Sequence, residues 1–254
     1  MGATRGRPVT TSAAVLLRSV AYGEADRIVT MLTDSHGRLA LMARGARRSS
    51  KRFAAGSLEP FGVAEIEFAL GGGEVGRLAG ARTVRAFPGI LGSLAAMQEG
   101  GAALELVRRV APERHAEPEA LPALARFFEL LEAGHGPTAR VAFELRFLAI
   151  AGLAPMLSGC GRCGRAPKEG QAALFDPALG ALVCRACGGG PIHLSGALRA
   201  RLASWLDDSW DEHVSPLSAA ELVEARALVD VFARSHVHES YGTGRPRHGK
   251  TEKR

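Results

Sequence analysis

Four cysteines, arranged as two Cys-x-x-Cys pairs, are the residues whose types and spacing most clearly indicate chemistry. They are Cys160 with Cys163 and Cys184 with Cys187, and they are all the cysteines in this 254-residue chain. Two residues between sulfurs allow one tight turn to aim both thiolates at a point, and a linker of about 15–20 residues between pairs is typical of zinc ribbons. Four sulfur ligands fill a tetrahedron and leave no position for water or substrate. The spacing predicts one zinc ion with a structural role.

The same residues could instead be redox dithiols or unrelated buried thiols. A redox Cys-x-x-Cys motif belongs in a βαβ context and needs one pair, whereas here the segment between two pairs resembles a small hairpin. His193 follows closely and could replace a sulfur, but four cysteines already satisfy the ion.

A second group of residues is suited to binding phosphate. The segment 44–52 has five basic residues in nine, namely Arg44, Arg47, Arg48, Lys51 and Arg52. Such a loop can follow a nucleic-acid backbone, although a solvated basic loop has the same composition. Candidate aromatic residues for base stacking are few: Tyr22, Phe53 and Phe61, each of which could equally be core. The pattern predicts a mainly electrostatic contact with weak sequence selectivity.

The charge distribution agrees with contacts to phosphate at the two ends of the chain. Residues 1–52 carry a net charge of +7 and residues 241–254 a net charge of +4, whereas the residues between carry −5. An arginine-rich composition alone could give part of this asymmetry. The role of the basic tail is left open.

The secondary structure that must position these groups is predicted to change from strands to helices near residue 90. Five apolar runs separated by turn residues predict strands at 12–20, 27–33, 38–44, 61–70 and 77–85. Five strands with an irregular insert after the third predict an OB-type β-barrel, and an SH3-like barrel would also fit. From about residue 90 the apolar period becomes helical, as in Leu94, Met97, Gly101, Leu104 and Val107. Later helices are indicated at 121–131, 141–152, after Ser195 and from the capping pattern Ser218–Glu221.

The predicted fold class is therefore multidomain α+β. It comprises an OB barrel at 1–85, an α-helical domain at 86–241 with an inserted four-cysteine zinc ribbon at about 156–192, and a flexible basic tail at 242–254. The polar N-terminus and the absence of a long apolar stretch predict a cytoplasmic protein without a membrane segment. Thiols spaced for metal also favour a reducing compartment.

Three other patterns suggest catalysis or nucleotide binding but lack the required context. Gly244–Thr251 matches a phosphate-loop expression, yet no clear strand precedes it and Pro246 interrupts it, so no nucleotide cofactor is expected. Gly71–Gly76 matches a dinucleotide fingerprint but precedes another apparent strand, which favours a hairpin turn. Asp207, Asp208, Asp211 and Glu212 could hold a catalytic metal, although a solvated helix end explains them as well. No catalytic residues are predicted.

Two blocks of residues resemble the RecO family of bacterial DNA repair and recombination mediators. The first runs through Val15-Leu16, Tyr22-Gly23-Glu24-Ala25-Asp26, Ile28-Val29, Leu32-Thr33, Gly37, Ala43–Arg48 and Pro60-Phe61. The second runs through Phe143–Arg146, Gly152–Pro155, Cys160–Gly164, Leu174-Phe175, Gly180 and Cys184–Cys187. Together they bracket most of residues 12–190 in the family's order and spacing.

The resemblance implies a protein that is not an enzyme and binds single-stranded and double-stranded DNA. It also implies annealing of complementary strands, and partnership with RecR and single-strand-binding protein to load recombinase. DNA contact is carried over to Arg44, Arg47 and Arg48, which match the family's basic motif, whereas Lys51 and Arg52 are added from charge alone. The expected location is the nucleoid.

Two alternatives remain at this stage. A zinc-ribbon protein of transcription or the ribosome would prefer RNA or a polymerase subunit, and a metal-dependent nuclease would use the acids at 207–212.

Overall fold

The computed structural model describes residues 8–207 and 209–237. The basic tail 242–254, the Gly244 motif and Asp208 lie outside the described residues.

Five strands form a closed barrel in the first third of the chain. They are β1 (Thr10–Tyr22), β2 (Asp26–Thr33), β3 (Gly37–Ala43), β4 (Gly62–Ala69) and β5 (Val75–Ala86). Their order around the barrel is β1-β2-β3-β5-β4, and β4 pairs back onto β1. All neighbouring strands are antiparallel except β3 and β5, which are parallel. This architecture confirms the predicted five-stranded OB-type barrel.

Alternation of side chains along the strands separates the barrel interior from its outer face. Leu39, Leu41 and Ala43 of β3 point inward and pack with Val29 and Met31 of β2. The next residues along each strand therefore lie on the outer face. Residues on the outer face either are exposed to solvent or pack against the helices. Only the solvent-exposed part of the outer face can bind a partner.

Within the described residues, six α-helices follow the barrel. They are α1 (Pro88–Leu91), α2 (Leu94–Val110), α3 (Ala120–Glu132), α4 (Gly136–Ile150), α5 (Gly196–Ser204) and α6 (Ala219–His236). The Ser195 hydroxyl caps α5 by accepting from the Leu198 N–H at 3.1 Å. Ser218 and Glu221 form the predicted capping box of α6.

The buried face of α2 matches the predicted one only in part. Leu104 and Val107 are buried as predicted, whereas Leu94 and Gly101 are exposed and Gly100 and Ala103 are buried instead. The reason is a neighbour from the barrel, because the Phe61 ring occupies the space beside Gly100 and leaves no room for a side chain there.

A small sheet is inserted between α4 and α5. Its strands are β6 (Met156–Cys160), β7 (Ala173–Asp176), β8 (Ala181–Leu182) and β9 (Ile192–Leu194), in the order β6-β8-β7-β9. β7 and β8 pair antiparallel, which is the hairpin predicted between the cysteine pairs. The sheet is attached to the helical core through Leu157, Phe175 and Leu194.

The barrel and the helices share one hydrophobic core at their junction. Val15 and Leu32, which pair across β1 and β2, face outward from the barrel and belong to the helical core together with Phe61. At the edge of this junction, the Arg38 N–H donates to the Pro112 carbonyl and the Arg114 N–H donates to the Arg38 carbonyl, each at 3.1 Å. The segment after α2 therefore runs along β3 and fixes the barrel against the helices.

Candidate metal centre and nucleic-acid interface

Two tight turns present the four cysteine sulfurs. In the first, the Gly164 N–H donates to the Cys160 carbonyl at 2.8 Å and the Cys160 N–H donates to the Arg165 carbonyl at 3.0 Å. In the second, the Cys187 N–H donates to the Cys184 carbonyl at 2.9 Å. The backbone turns at Gly164 and Gly188 with φ of +74° and +108°, a region that glycine occupies at little cost.

The sulfur positions fit a tetrahedral metal ion. The four Sγ atoms all lie within 4.8 Å of one another, and Cys163 Sγ is 3.8 Å from Cys184 Sγ. A metal–sulfur bond of about 2.3 Å in a tetrahedron gives sulfur separations of about 3.8 Å. The four clustered cysteines therefore form a plausible metal site with all four ligand positions filled by the protein, as the sequence predicted.

Hydrogen bonds within the two turns also shift the pKa values of the cysteine thiols. The backbone N–H of Cys184, followed by that of Arg162, lowers the pKa of the Cys160 thiol to about 6. In contrast, hydrogen bonds with the Cys184 and Cys163 sulfurs raise the pKa of the Cys187 thiol to about 12, because they stabilise its protonated form. A bound cation stabilises the thiolates instead and allows every ligand to deprotonate.

The two turns are linked by one arginine side chain. Arg162 Nη1 donates to the Cys187 carbonyl at 2.7 Å, so the first turn holds the second. His193, considered as a substitute ligand, is exposed and is not part of the sulfur cluster.

The basic loop Arg44–Arg52 connects β3 to the segment that returns towards β5, and it is docked against the tip of the β1–β2 hairpin. The Gly45 N–H donates to Asp26 Oδ1 at 2.7 Å, and the Arg47 N–H donates to the Ala25 carbonyl at 3.1 Å. On the other side, the Ala81 N–H of β5 donates to the Arg52 carbonyl at 2.8 Å. The loop is thus held at both ends by the barrel.

The five basic side chains of this loop differ in what they contact. Arg48 forms an exposed ion pair with Glu24 at 3.3 Å, so the Glu24 carboxylate partly neutralises the positive charge at this position of the loop. Arg52 donates to the Arg44 carbonyl at 2.8 Å and lies over the Phe53 ring, so it also supports the loop. Within the described residues, Arg44, Arg47 and Lys51 have no acidic partner within ion-pair distance.

The three aromatic candidates separate into two groups. Phe53 belongs to the barrel core and Phe61 to the junction with the helices, each about 6% exposed. Tyr22, at the end of β1, is 56% exposed and is the one of the three that a base could reach.

The alternative motifs have structural explanations where the structure describes them. The first four residues of the Gly71–Gly76 motif lie in the turn between β4 and β5 and its last two begin β5; the two strands pair antiparallel at Ala69 and Arg77, as predicted for a hairpin. Of the acids at 207–212, Asp211 binds Arg126 at 2.6 Å and Asp207 accepts from the Ser209 N–H at 3.2 Å. In the described part of the chain, the cysteine cluster is the one group of side chains arranged to hold a metal.

None of the helices within residues 8–207 and 209–237 has the length and apolarity needed to cross a membrane.

A five-stranded OB-type barrel joined to a helical region with a four-cysteine cluster defines a class of OB-fold proteins with a candidate metal site. Comparison with known proteins narrows this class. Residues 8–87 match the family model "Recombination protein O N terminal", and residues 93–244 match "Recombination protein O C terminal". The chain therefore belongs to the RecO family of DNA repair proteins, and as a recombination mediator it is not an enzyme.

Relatives across most of the chain agree with this assignment. The DNA repair protein RecO of Myxococcus xanthus is 38% identical over 225 residues, which cover 88% of this chain and 91% of that protein. The protein of the same name from Anaeromyxobacter sp. strain K is 36% identical over 88% of this chain and 89% of its own length. That of Desulfatibacillum aliphaticivorans is 36% identical, with 91% and 92% covered.

Proposed function

We propose that this protein binds single-stranded and double-stranded DNA and anneals complementary strands. It would act with RecR and single-strand-binding protein to load recombinase onto single-stranded DNA, in the cytoplasm and at the nucleoid. One observation carries the DNA-binding part of this proposal: the Arg44–Arg52 loop projects cations that the barrel holds in place without neutralising most of them. The family assignment supports the repair context.

The physical basis of annealing is neutralisation of phosphate repulsion. Two complementary strands repel each other through their backbones, and cations near both lower that barrier while releasing condensed counterions. Arg44, Arg47 and Lys51 are suited to this because no carboxylate among the described residues forms an ion pair with them. Contact with phosphate rather than bases also leaves the bases free to pair.

We further propose that the metal held by Cys160, Cys163, Cys184 and Cys187 is one zinc ion with a structural role. The donor set supports this proposal, because four thiolates at tetrahedral spacing select zinc over the hard cations that prefer oxygen. Zinc would fix the two turns and the small sheet against the helical core.

We propose that the boundary between the barrel domain and the helical domain lies between residues 85 and 86, with the metal module at about 156–192.

Charge reversal in the loop tests the DNA interface. We expect the double variant Arg47→Glu, Arg48→Glu to weaken binding of single strands and duplexes by about 10-fold or more at low salt, because two cations become anions near phosphate. Fluorescence anisotropy with labelled oligonucleotides measures this, and circular dichroism checks folding.

A matched control carries the same change of net charge elsewhere. Arg165→Glu with Lys168→Glu alters two exposed cations of the metal module. We expect this control to keep most of its affinity. Equal affinity of the loop variant and the wild type would refute the assignment of the loop, and preference for RNA over DNA of the same sequence would favour the transcription-associated alternative.

A further inference from the structure

We infer that the cysteine cluster is also an oxidation site, at which hydrogen peroxide joins Cys163 and Cys184 in a disulfide and so releases the metal. The inference rests on the proposed zinc site and extends it, because it assigns different reactivities to four sulfurs that hold one ion. Thiolates are the form of cysteine that two-electron oxidants attack, and a metal site of four cysteines concentrates them.

The four cysteines differ in their access to solvent. Cys160 is buried, with 3% of its surface exposed, and its Sγ accepts a hydrogen bond from the Cys184 N–H at 3.4 Å. Cys184 and Cys187 are half-buried, whereas Cys163 is exposed. Susceptibility to oxidation follows thiolate character and exposure. Cys163 is therefore the sulfur that an oxidant in solution meets first.

The exposed sulfur lies beside a sulfur of the other turn. Cys163 Sγ and Cys184 Sγ are 3.8 Å apart, although 21 positions separate the two residues in the sequence. An oxidised cysteine condenses with a thiol that is already close to it. Cys184 can therefore resolve the oxidised Cys163 without unfolding of either turn, and the disulfide that results crosses from one turn to the other.

A pocket beside the cluster leads to the second sulfur of this pair. It has a volume of about 300 Å³, and Cys160 and Cys184 are among the residues that line it. Arg165 and Arg185 also line it, and none of its lining residues within the described chain is acidic. Positive charge at this place stabilises the hydroxide that leaves when a peroxide is reduced. The surroundings of Cys184 therefore favour the oxidation.

The reaction is a two-electron oxidation in two steps. In the first, the Cys163 thiolate attacks one oxygen of hydrogen peroxide, the O–O bond breaks, and a sulfenic acid and a hydroxide form. In the second, the Cys184 thiolate attacks the sulfenic sulfur, the S–S bond forms, the S–O bond breaks and a second hydroxide leaves. Two thiolates are oxidised and one peroxide is reduced, and each hydroxide takes a proton from solvent to become water.

The disulfide removes two of the four ligands but keeps the two turns joined. Cys160 and Cys187 alone leave half of a tetrahedral site unfilled, so the affinity for zinc falls and the ion leaves. The new bond then links the same two turns that the metal linked, beside the contact from Arg162 Nη1 to the Cys187 carbonyl at 2.7 Å. Reduction of the disulfide in the presence of zinc therefore restores the original site.

The sequence allows the pairing of the cysteines to be read directly. Arg162 separates Cys160 from Cys163, and Arg185 separates Cys184 from Cys187, so trypsin places each cysteine on a different peptide. The zinc-loaded wild-type protein is treated with hydrogen peroxide, and the released zinc is measured with a chromogenic chelator. Remaining thiols are blocked with N-ethylmaleimide, and the peptides are mapped by mass spectrometry without reduction. We expect one zinc ion to be released for each disulfide formed, and the disulfide to link Cys163 with Cys184.

Two matched variants test the role of the exposed sulfur. A set of three cysteines and one histidine also binds zinc, so Cys163→His and Cys187→His should both keep the ion. We expect Cys163→His to release zinc to peroxide at least about 5-fold more slowly than the wild type, because the accessible sulfur is gone. Cys187→His keeps both reacting sulfurs and should stay within about twofold of the wild type. Zinc content before treatment shows whether each variant has assembled its site.

Peptide mapping of the wild type decides the inference even if neither variant folds. Met156, which is 49% exposed at the start of β6, reports oxidation of the same module outside the cluster. Oxidation of Met156 while zinc and all four thiols stay in place would overturn the inference, as would a disulfide within one turn, and either result would leave the proposed zinc site standing. Protein purified under reducing conditions without zinc would refute the zinc site and the inference together.

Discussion

The Phe61 ring lies directly against the backbone of Gly100, so that a Cβ atom added to Gly100 would be 2.5 Å from Phe61 Cε1. Phe61 itself has a φ of +61°, which is unusual for a residue with a large side chain. It is buried and also meets Phe128 edge to face at 5.8 Å. This contact joins the residue before β4 to α2 and α3, and it fixes how the barrel packs on the helices.

Two adjacent glycines in α2 test the tightness of that contact. We expect Gly100→Ala to lower the free energy of unfolding by about 1–3 kcal/mol, because the methyl group forces the ring or the helix to move. At Gly101 an added Cβ meets nothing within 4 Å, so Gly101→Ala should raise it by about 0.5–1 kcal/mol through helix propensity. Urea unfolding measures both. Equal effects of the two substitutions would contradict the close approach.

Substitution of one cysteine ligand should remove the metal and lower the stability of the fold. We expect Cys160→Ser to lose the proposed zinc ion and more than about 4 kcal/mol of stability, since removal of a structural metal is among the most destabilising changes. Elemental analysis of the purified protein and thermal unfolding measure the two effects.

His193→Ala is the control for this prediction, because His193 is exposed beside the site but is not among the sulfur ligands. It should keep one zinc ion per chain. A Cys160→Ser protein without metal and with wild-type stability would show that the ion does not support the fold.

A buried carboxylate predicts an unusual pH dependence. Glu144 accepts from Arg140 at 2.8 Å, and Arg140 also reaches Glu99. Burial raises the pKa of Glu144 above 4.5 even though Arg140 opposes the shift. The unfolded chain therefore loses this proton first, and the stability that depends on Glu144 falls as pH rises above about 4.5.

Glu144→Gln removes that titration. We expect the free energy of unfolding of Glu144→Gln, relative to that of the wild type, to increase as pH rises above about 4.5, measured by urea unfolding at several pH values. The control Glu105→Gln should change in the opposite direction and in a different range, below about pH 4.5, because a hydrogen bond from Arg108 lowers the pKa of exposed Glu105 and its stabilising effect is lost as pH falls. A gain at Glu144 that does not change with pH would contradict the account.

Local patterns predicted much of the fold. Apolar runs and turn residues gave the five barrel strands to within a few residues, and the caps at Ser195 and Ser218 marked two helices correctly. The cysteine spacing predicted the cluster, because two short turns encode most of its geometry locally.

Features that depend on distant pairings could not be predicted in this way. Phe53 and Phe61 carry no local signal of burial, since their partners come from β5 and from α2 and α3.

Strand annealing tests the central claim most directly. Two complementary labelled oligonucleotides are mixed with the protein, without ATP or magnesium, and their pairing is followed by energy transfer across a salt series. We expect the protein to accelerate pairing at low salt, the acceleration to fade as salt rises, and the Arg47, Arg48 charge-reversal variant to lose most of it. Pairing at the uncatalysed rate at low salt, with correctly folded and metal-loaded protein, would contradict the account.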